Sequence, residues 1–341
     1  MTLDALGLWS VAASLDEQIR RAVRSAQSTP LRGLDDRRYA NIVVAGMGGS
    51  GIGGAVTAML NERAGRLPLV TLHDHDLPAW VGADSLVIAV SFSGNTAETL
   101  DAVSTAHERG AGVAVATAGG KLAALAAKWG APCVPLAAAI PMPRAAIAEV
   151  SAAAAILLER VGLLDNAAAQ FLAAADHLHT RLPVLAAERG PAAKVARRIG
   201  RTIPLVYGAG RLGAAAAYRF KCQVNENAKA PAFAHTAPEL NHNELAGWGQ
   251  HGDVTRQIIT AVHLRHSFEP PRVSASFEVV REVQHEVVAD VVEVRAEGDA
   301  PLVQLFDLVA FGDYVSLFMA AHESLDPGPV PTLDDLKHRL G

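Results

Sequence analysis

Three hydroxyls fall within six residues at Ser91, Ser93 and Thr96, around Gly94 and Asn95. Hydroxyls beside free backbone N–H groups at a helix N-terminus suit a phosphate monoester. A helix is expected from Ala97, with Glu98 near its first turn. Ser50 adds a fourth hydroxyl from the glycine cluster Gly46-Met-Gly-Gly-Ser-Gly-Ile-Gly-Gly54, and Gly49 belongs to the same candidate phosphate site. The 91–96 segment has no lysine and no GxxxxGK[ST] run, so it is not a nucleoside-triphosphate loop. Helix capping explains one hydroxyl well and three poorly. The formal net charge is −5, so attraction for a phosphate must be local.

Other patterns point to different chemistry. Gly46-x-Gly48-x-x-Gly51 fits a dinucleotide fingerprint, with Asp74 23 residues beyond Gly51 where a ribose-binding acid would sit. That reading predicts NAD(P) binding and leaves the 91–96 hydroxyls unexplained. His73-Asp-His-Asp76 resembles metal-ligand spacing but has no obvious partner ligands. His235, His242 and Glu244 lack a third well-spaced ligand. No metal and no cofactor are expected.

The loops need elements to hold them. Asn41–Ala45, Pro68–Leu72, Ser85–Val90, Gly112–Thr117 and Cys133–Leu136 read as strands, with helices after the Gly46, Ser91 and Lys121 regions. Alternation of this kind argues for a parallel sheet covered on both faces, with ligands beyond the carboxyl ends of its strands. An amphipathic helix is expected over 6–27. Residues 144–185 read as nearly all helix, broken near Gly162 and Pro183. The alternation then restarts: strand Ile203–Tyr207, loop Gly208-Ala-Gly-Arg-Leu-Gly213, helix, strand Gln257–Leu264, helix Phe277–Val287, strand Val291–Arg295. Helices over Leu302–His322 and Leu333–Leu340 close the chain. Two similar α/β domains in tandem are the simplest account. The expected division is a helical segment 1–36, a phosphate-binding domain 37–150, a helical connector 151–190 and a second domain 191–341.

Composition narrows the class. Of 341 residues, 50% are hydrophobic and 19% charged, which excludes disorder. Thirty Lys and Arg against 35 Asp and Glu, with no long basic run, make nucleic acid a poor partner. No uninterrupted apolar stretch reaches about 18 residues, so no membrane span is expected. The N-terminus does not read as a signal peptide. Two cysteines cannot make a disulfide scaffold, so a reducing cytoplasm is the default location.

The strand followed by Ser91-Phe-Ser-Gly-Asn-Thr96 resembles the signature of SIS (sugar isomerase) domains. Two such domains, with the Gly46–Gly54 cluster first and Asn225-Glu-Asn-Ala-Lys229 followed by Asn241-His-Asn-Glu-Leu245, are similar to the bifunctional phosphoglucose/phosphomannose isomerases of archaea and bacteria. The resemblance implies two doubly wound, flavodoxin-like sheets and an aldose–ketose isomerase acting on hexose 6-phosphates without a cofactor. It places the phosphate on Ser50, Ser91, Ser93 and Thr96. Arg144, in Pro141-Met-Pro-Arg-Ala145, matches an arginine facing the reacting carbons. Glu226 matches the base, His242 a residue that helps open the sugar ring, and Lys337 a lysine near the ring oxygen. It also implies a homodimer in which a histidine of one subunit completes its neighbour's site.

Those residue types suit the reaction. One carboxylate can carry a proton between C2 and C1 through a cis-enediolate, an effect typically worth about 10²–10⁴-fold. A guanidinium offsets the charge growing on the enediolate oxygens. A group titrating near neutrality suits ring opening. Each residue also has an ordinary role. Glu226 can salt-bridge Lys221 or Lys229, His242 can satisfy a turn, Arg144 can start a helix after Pro143, and Lys337 can be a solvated charge. The family usually has a glycine and a glutamine before the arginine, whereas this chain reads Leu136-Ala-Ala-Ala-Ile-Pro-Met-Pro-Arg144, a stiffer loop. A non-catalytic sugar-phosphate sensor is the alternative from another class.

Overall fold

In the computed structural model the described residues are 3–340, the side chains of 334, 337, 338 and 340 excepted. The chain packs as two compact units, Ser14–Asp176, and Met1–Ala13 with His177–Gly341. The expected N-terminal segment and helical connector are therefore each divided between the units.

The N-terminal helical pattern is realised as two helices, α1 (Leu8–Ala13) and α2 (Leu15–Ser28), separated at Ser14. The apolar runs become strands β1 (Asn41–Ala45), β2 (Leu69–Leu72), β3 (Ser85–Val90), β4 (Gly112–Thr117) and β5 (Cys133–Pro135). Between and after them run α3 (Gly48–Ala64), α4 (Ala97–Glu108), α5 (Gly120–Trp129), α6 (Ile147–Arg160) and α7 (Ala167–Ala186). All pairings in this sheet are parallel, in the order β2-β1-β3-β4-β5. Every residue of β3 and β4 is buried, as expected of central parallel strands covered on both faces. The direction of strand order reverses between β1 and β3, so their carboxyl ends form the crevice where such sheets bind ligands.

The other unit continues with α8 (Pro191–Ile199), β6 (Ile203–Ala209), α9 (Gly210–Asn227), β7 (Phe233–Ala237), α10 (Gly252–Ile258), β8 (Ile259–Arg265), α11 (Pro271–His285), β9 (Asp290–Arg295), α12 (Pro301–His322) and α13 (Pro331–Leu340). Its sheet is also parallel, in the order β7-β6-β8-β9. That is the first sheet's order with its last strand missing, so the repeat seen in the loops is a repeat of topology.

Three further expectations change. β7 was not expected, because Phe-Ala-His-Thr-Ala has no apolar run; it is an edge strand whose pairing with β6 makes it. Residues Gln257 and Ile258 end α10 rather than begin β8. Pro183 sits inside α7 instead of breaking it. Buried Leu182 and Leu185 on either side hold that last turn against the loss of one backbone hydrogen bond. By length and composition alone α12 would pass for a membrane span, but its apolar 18-residue window is wholly buried. Gln304, Asp307, Asp313 and Ser316 interrupt its apolar sequence. Each of these is paired internally: Arg181 Nε donates to Asp307 at 2.7 Å and Arg219 Nη2 to Asp313 at 2.8 Å. Buried carboxylates require such partners.

Candidate active site

The 91–96 loop lies at the β1/β3 crevice. Ser50 is buried near the start of α3, and its Oγ accepts the Phe92 N–H at 3.0 Å, tying the glycine cluster to the 91–96 loop. Ser91 is also buried; its Oγ lies 2.9 Å from Thr96 Oγ1 and accepts the Gly94 N–H at 3.1 Å. Ser93 is exposed and its Oγ accepts the Asn95 N–H at 3.3 Å. Thr96 is the N-cap of α4, yet its side chain makes no capping hydrogen bond. The ordinary explanation of these hydroxyls, helix capping, is therefore not how they are used. Asn95 fastens the loop from the other side, its Oδ1 accepting the Lys121 N–H at 3.1 Å. Gly94 has φ +68°, and a Cβ there would lie 1.8 Å from the Gly119 carbonyl, so no other residue fits this turn.

The glycine cluster also has a packing task. A Cβ on Gly49 would sit 2.8 Å from the Arg144 backbone nitrogen, and one on Gly53 would sit 2.5 Å from the Val150 carbonyl. These glycines let the Pro143–Ala145 turn and α6 approach α3. Arg144 is thereby held beside the first turn of α3, with its side chain buried. Gly49 sits against the arginine's turn at the same point.

One support of this region carries no motif in the sequence, and another is the run whose spacing resembles a metal site. Glu149, 1% exposed, accepts Arg21 Nε at 2.9 Å and the Ala137 N–H at 3.2 Å, which anchors the segment leading to Arg144. The available signal was a single acid in the apolar run Ile147–Leu158. His73 Nδ1 donates to the Gly46 carbonyl at 2.7 Å, and His75 pairs with Asp101 at 2.7 Å. The His73-Asp-His-Asp76 run thus braces the loop and the surface. Asp74, the proposed ribose acid, is exposed and accepts the His75 N–H at 2.7 Å.

In the other unit, Glu226 lies in the last turn of α9, half-buried. Tyr218, Cys222 and Glu226 follow at four-residue spacing on one face of that helix. Burial pushes the Cys222 thiol above its ordinary value, with the Glu226 charge adding to the rise. Lys229, one of the two cations offered as an ordinary partner for Glu226, directs its Nζ to the carbonyls of Asp326 at 2.7 Å and Pro327 at 3.0 Å. Lys221 lies 5.7 Å from the Tyr218 ring centroid. His242 ends the short turn Glu239–His242 and is exposed, its side chain making no hydrogen bond to another described residue. Lys337 falls in α13, but its side chain lies outside the described residues.

A polar cluster close to His242 was missed as a unit. The Glu244 carboxylate accepts the Tyr207 hydroxyl on one oxygen and His235 Nδ1 on the other. Burial, and then the Glu244 bond, push Tyr207 far above its ordinary value, so it remains a donor. The sequence placed His235 and Glu244 in one candidate group but gave no sign of Tyr207, 37 residues before Glu244.

Comparison with known proteins agrees with this architecture. Residues 188–340 match the bacterial phospho-glucose isomerase C-terminal SIS domain. A bifunctional phosphoglucose/phosphomannose isomerase of Caldicellulosiruptor bescii is 30% identical over 96% of this chain and 97% of its own length. A D-glucosamine-6-phosphate 4-epimerase of Sulfolobus acidocaldarius is 35% identical, over 60% of this chain and 62% of its own. The fold superimposes on tagatose-6-phosphate ketose/aldose isomerase from Escherichia coli with a TM-score of 0.66 and 18% identity, covering 96% of this chain and 98% of that one. With two parallel sheets of one topology, hydroxyls gathered at the first crevice and a relative matched from end to end, the chain belongs to the bifunctional phosphoglucose/phosphomannose isomerase family.

Proposed function

We propose that this protein interconverts glucose 6-phosphate and mannose 6-phosphate with fructose 6-phosphate through a cis-enediolate. The observation that carries the reading is the 91–96 loop: hydroxyls at a sheet crevice and a helix N-terminus, unused for capping. The phosphate binds Ser50, Ser91, Ser93, Thr96 and the Gly49 backbone. Glu226 takes the proton from C2 and returns it to C1. Arg144 stabilises the charge on the enediolate oxygens. His242 protonates the ring oxygen as the ring opens, and Lys337 assists at that oxygen and the first hydroxyl. The two aldoses differ only at C2 and share one enediol, so one base serves both. The enzyme acts as a homodimer in a reducing cytoplasm, a setting that suits the unpaired Cys133 and Cys222.

The test is direct. Purified protein is incubated with fructose 6-phosphate, and glucose 6-phosphate and mannose 6-phosphate are quantified separately. Both products are expected, and both should fall at least about 100-fold in Glu226→Gln. Full activity in that variant refutes the assigned base. Ligand binding without either product would favour a sensor.

A further inference from the structure

Glu239–His242 and Glu244–Gly247 are two short turns in the segment that carries His242. Anchors stand on both sides of the histidine. Leu240, 1% exposed, packs into the apolar cluster with Tyr207, Ala237 and Phe277. Asn241 Nδ2 donates to Ser276 Oγ on α11 at 2.9 Å. Beyond His242, Asn243 Oδ1 accepts the Glu244 N–H at 2.6 Å, and the Glu244 carboxylate reaches down to Tyr207 and His235. Between these fastenings the His242 side chain is exposed and makes no hydrogen bond to another described residue.

The floor under Glu244 is rigid. Tyr207 on β6 is fully buried and stands in register with His235 on β7 and His263 on β8. The Tyr207 and His263 rings stack with centroids 5.6 Å apart, and His263 Nε2 donates to Gln284 Oε1 at 2.8 Å. Three strands thus present one row of polar rings, and its middle and edge members grip one carboxylate. A turn needs no charged residue at this point, because an apolar side chain would pack on the same floor at less desolvation cost. A carboxylate held by two donors instead fixes direction as well as depth.

We propose that Glu244, clamped by Tyr207 and His235, is a positioning residue that fixes His242 for ring opening; this rests on the isomerase reading above. Placement is what ring opening demands, since an error of about 1 Å in an acid–base group costs about 10²-fold. Glu244 touches no substrate in this role. Its effect should be confined to the step that His242 performs.

The experiment compares wild type, Glu244→Ala, Glu244→Gln and Tyr207→Phe on two ketoses. Fructose 6-phosphate must open its ring. 5-Deoxyfructose 6-phosphate lacks the hydroxyl that closes it and enters the C1–C2 proton transfer directly. On fructose 6-phosphate, Glu244→Ala should lower kcat by about 10- to 100-fold with KM changed less than about twofold. Glu244→Gln, which keeps an acceptor for Tyr207, should recover most of that loss. On the 5-deoxy ketose, exchange of the C1 proton with solvent deuterium should proceed at the wild-type rate in all three variants. Equal loss on both substrates overturns the proposal, since it marks general damage. Amide hydrogen exchange supplies a second readout: residues 240–247 should exchange faster in Glu244→Ala and Tyr207→Phe, and unchanged exchange overturns the clamp. The near-isosteric Tyr207→Phe, which removes one of the two donors and should also lower kcat on fructose 6-phosphate, keeps the test decisive should the alanine variant not fold. A wild type inactive on fructose 6-phosphate overturns the isomerase reading, whereas active wild type with Glu244→Ala and Tyr207→Phe unchanged on that substrate overturns only the clamp.

Discussion

Ser50 and Ser91 each accept a backbone N–H of the 91–96 loop, so they shape the loop as well as belonging to the proposed phosphate site. Ser93 is exposed and accepts only the neighbouring Asn95 N–H. The difference predicts separable phenotypes. Ser93→Ala should raise KM for the sugar phosphate by about 10- to 100-fold, the equivalent of one charge-assisted hydrogen bond of about 1.5–3 kcal/mol. Its melting temperature should stay at the wild-type value. Ser91→Ala should weaken binding and also destabilise the fold by about 0.5–1.5 kcal/mol, because the hydroxyl's bonds to the Gly94 N–H and to Thr96 Oγ1 are lost while the Gly94 N–H keeps the Ser91 carbonyl. Steady-state kinetics and thermal melts on the two variants check this, and a Ser91→Ala protein as stable as Ser93→Ala would contradict it. At this scale the sequence showed which hydroxyls cluster. It did not show which were buried, since exposure depends on the neighbouring loop and on α5.

Among the elements, α3 and α6 are the informative pair. A glycine cluster after a strand was read as a ligand cradle, and its second task appears only when α6 is placed against it. Gly53→Ala would put a methyl 2.5 Å from the Val150 carbonyl, a backbone atom that cannot swing aside. The expected cost is about 1–3 kcal/mol, read as a lowered urea midpoint. Gly49→Ala presses on the Pro143–Arg144 backbone instead, so it should lower kcat more than Gly53→Ala does. Activity of Gly49→Ala equal to wild type would show that the arginine's turn tolerates displacement. Edge strand β7 illustrates the opposite limit. Its five residues carry no strand pattern of their own, and their pairing with β6 is what brings His235 level with Tyr207.

For the molecule as a whole, acid should act through buried groups. Burial, assisted by the Arg265 charge, holds His263 below its ordinary 6.5. The unfolded chain therefore takes up that proton first, and stability should fall as pH drops from about 6.5 toward the lower folded value. The slope in that window is at most about 1.4 kcal/mol per pH unit. Burial alone would raise Glu269, but the Arg265 guanidinium and the His266 N–H outweigh it and hold the carboxyl below 4.5. The contribution of Glu269 is present above 4.5 and is lost as pH falls through its lower folded value. Urea unfolding across pH 3–7 should show both declines, and His263→Gln should remove the upper one alone. Association is tested separately. If a partner's histidine completes each site, specific activity should collapse on dilution to monomers, and a fully active monomer would refute the shared site.

Much of this protein is written locally. Unbroken apolar runs at 42–45, 86–90 and 113–116 are buried on both faces, which commits them to parallel strands, and a glycine or hydroxyl turn directly after a strand marks a βα loop. The SIS signature and the two asparagine-rich motifs identify the family because their spacing is contiguous. Tertiary structure decided what those segments meet. The order β2-β1-β3 makes β1 and β3 neighbours, and so brings Ser50 to Phe92 across 42 residues of chain. Register places Tyr207 beside His235 and under Glu244. Packing sets Glu149 beneath the approach to Arg144 and α12 inside a core rather than a bilayer. Periodicity and propensity are properties of neighbours in sequence, whereas strand order, register and helix packing minimise the free energy of the whole fold, and no local window contains that information.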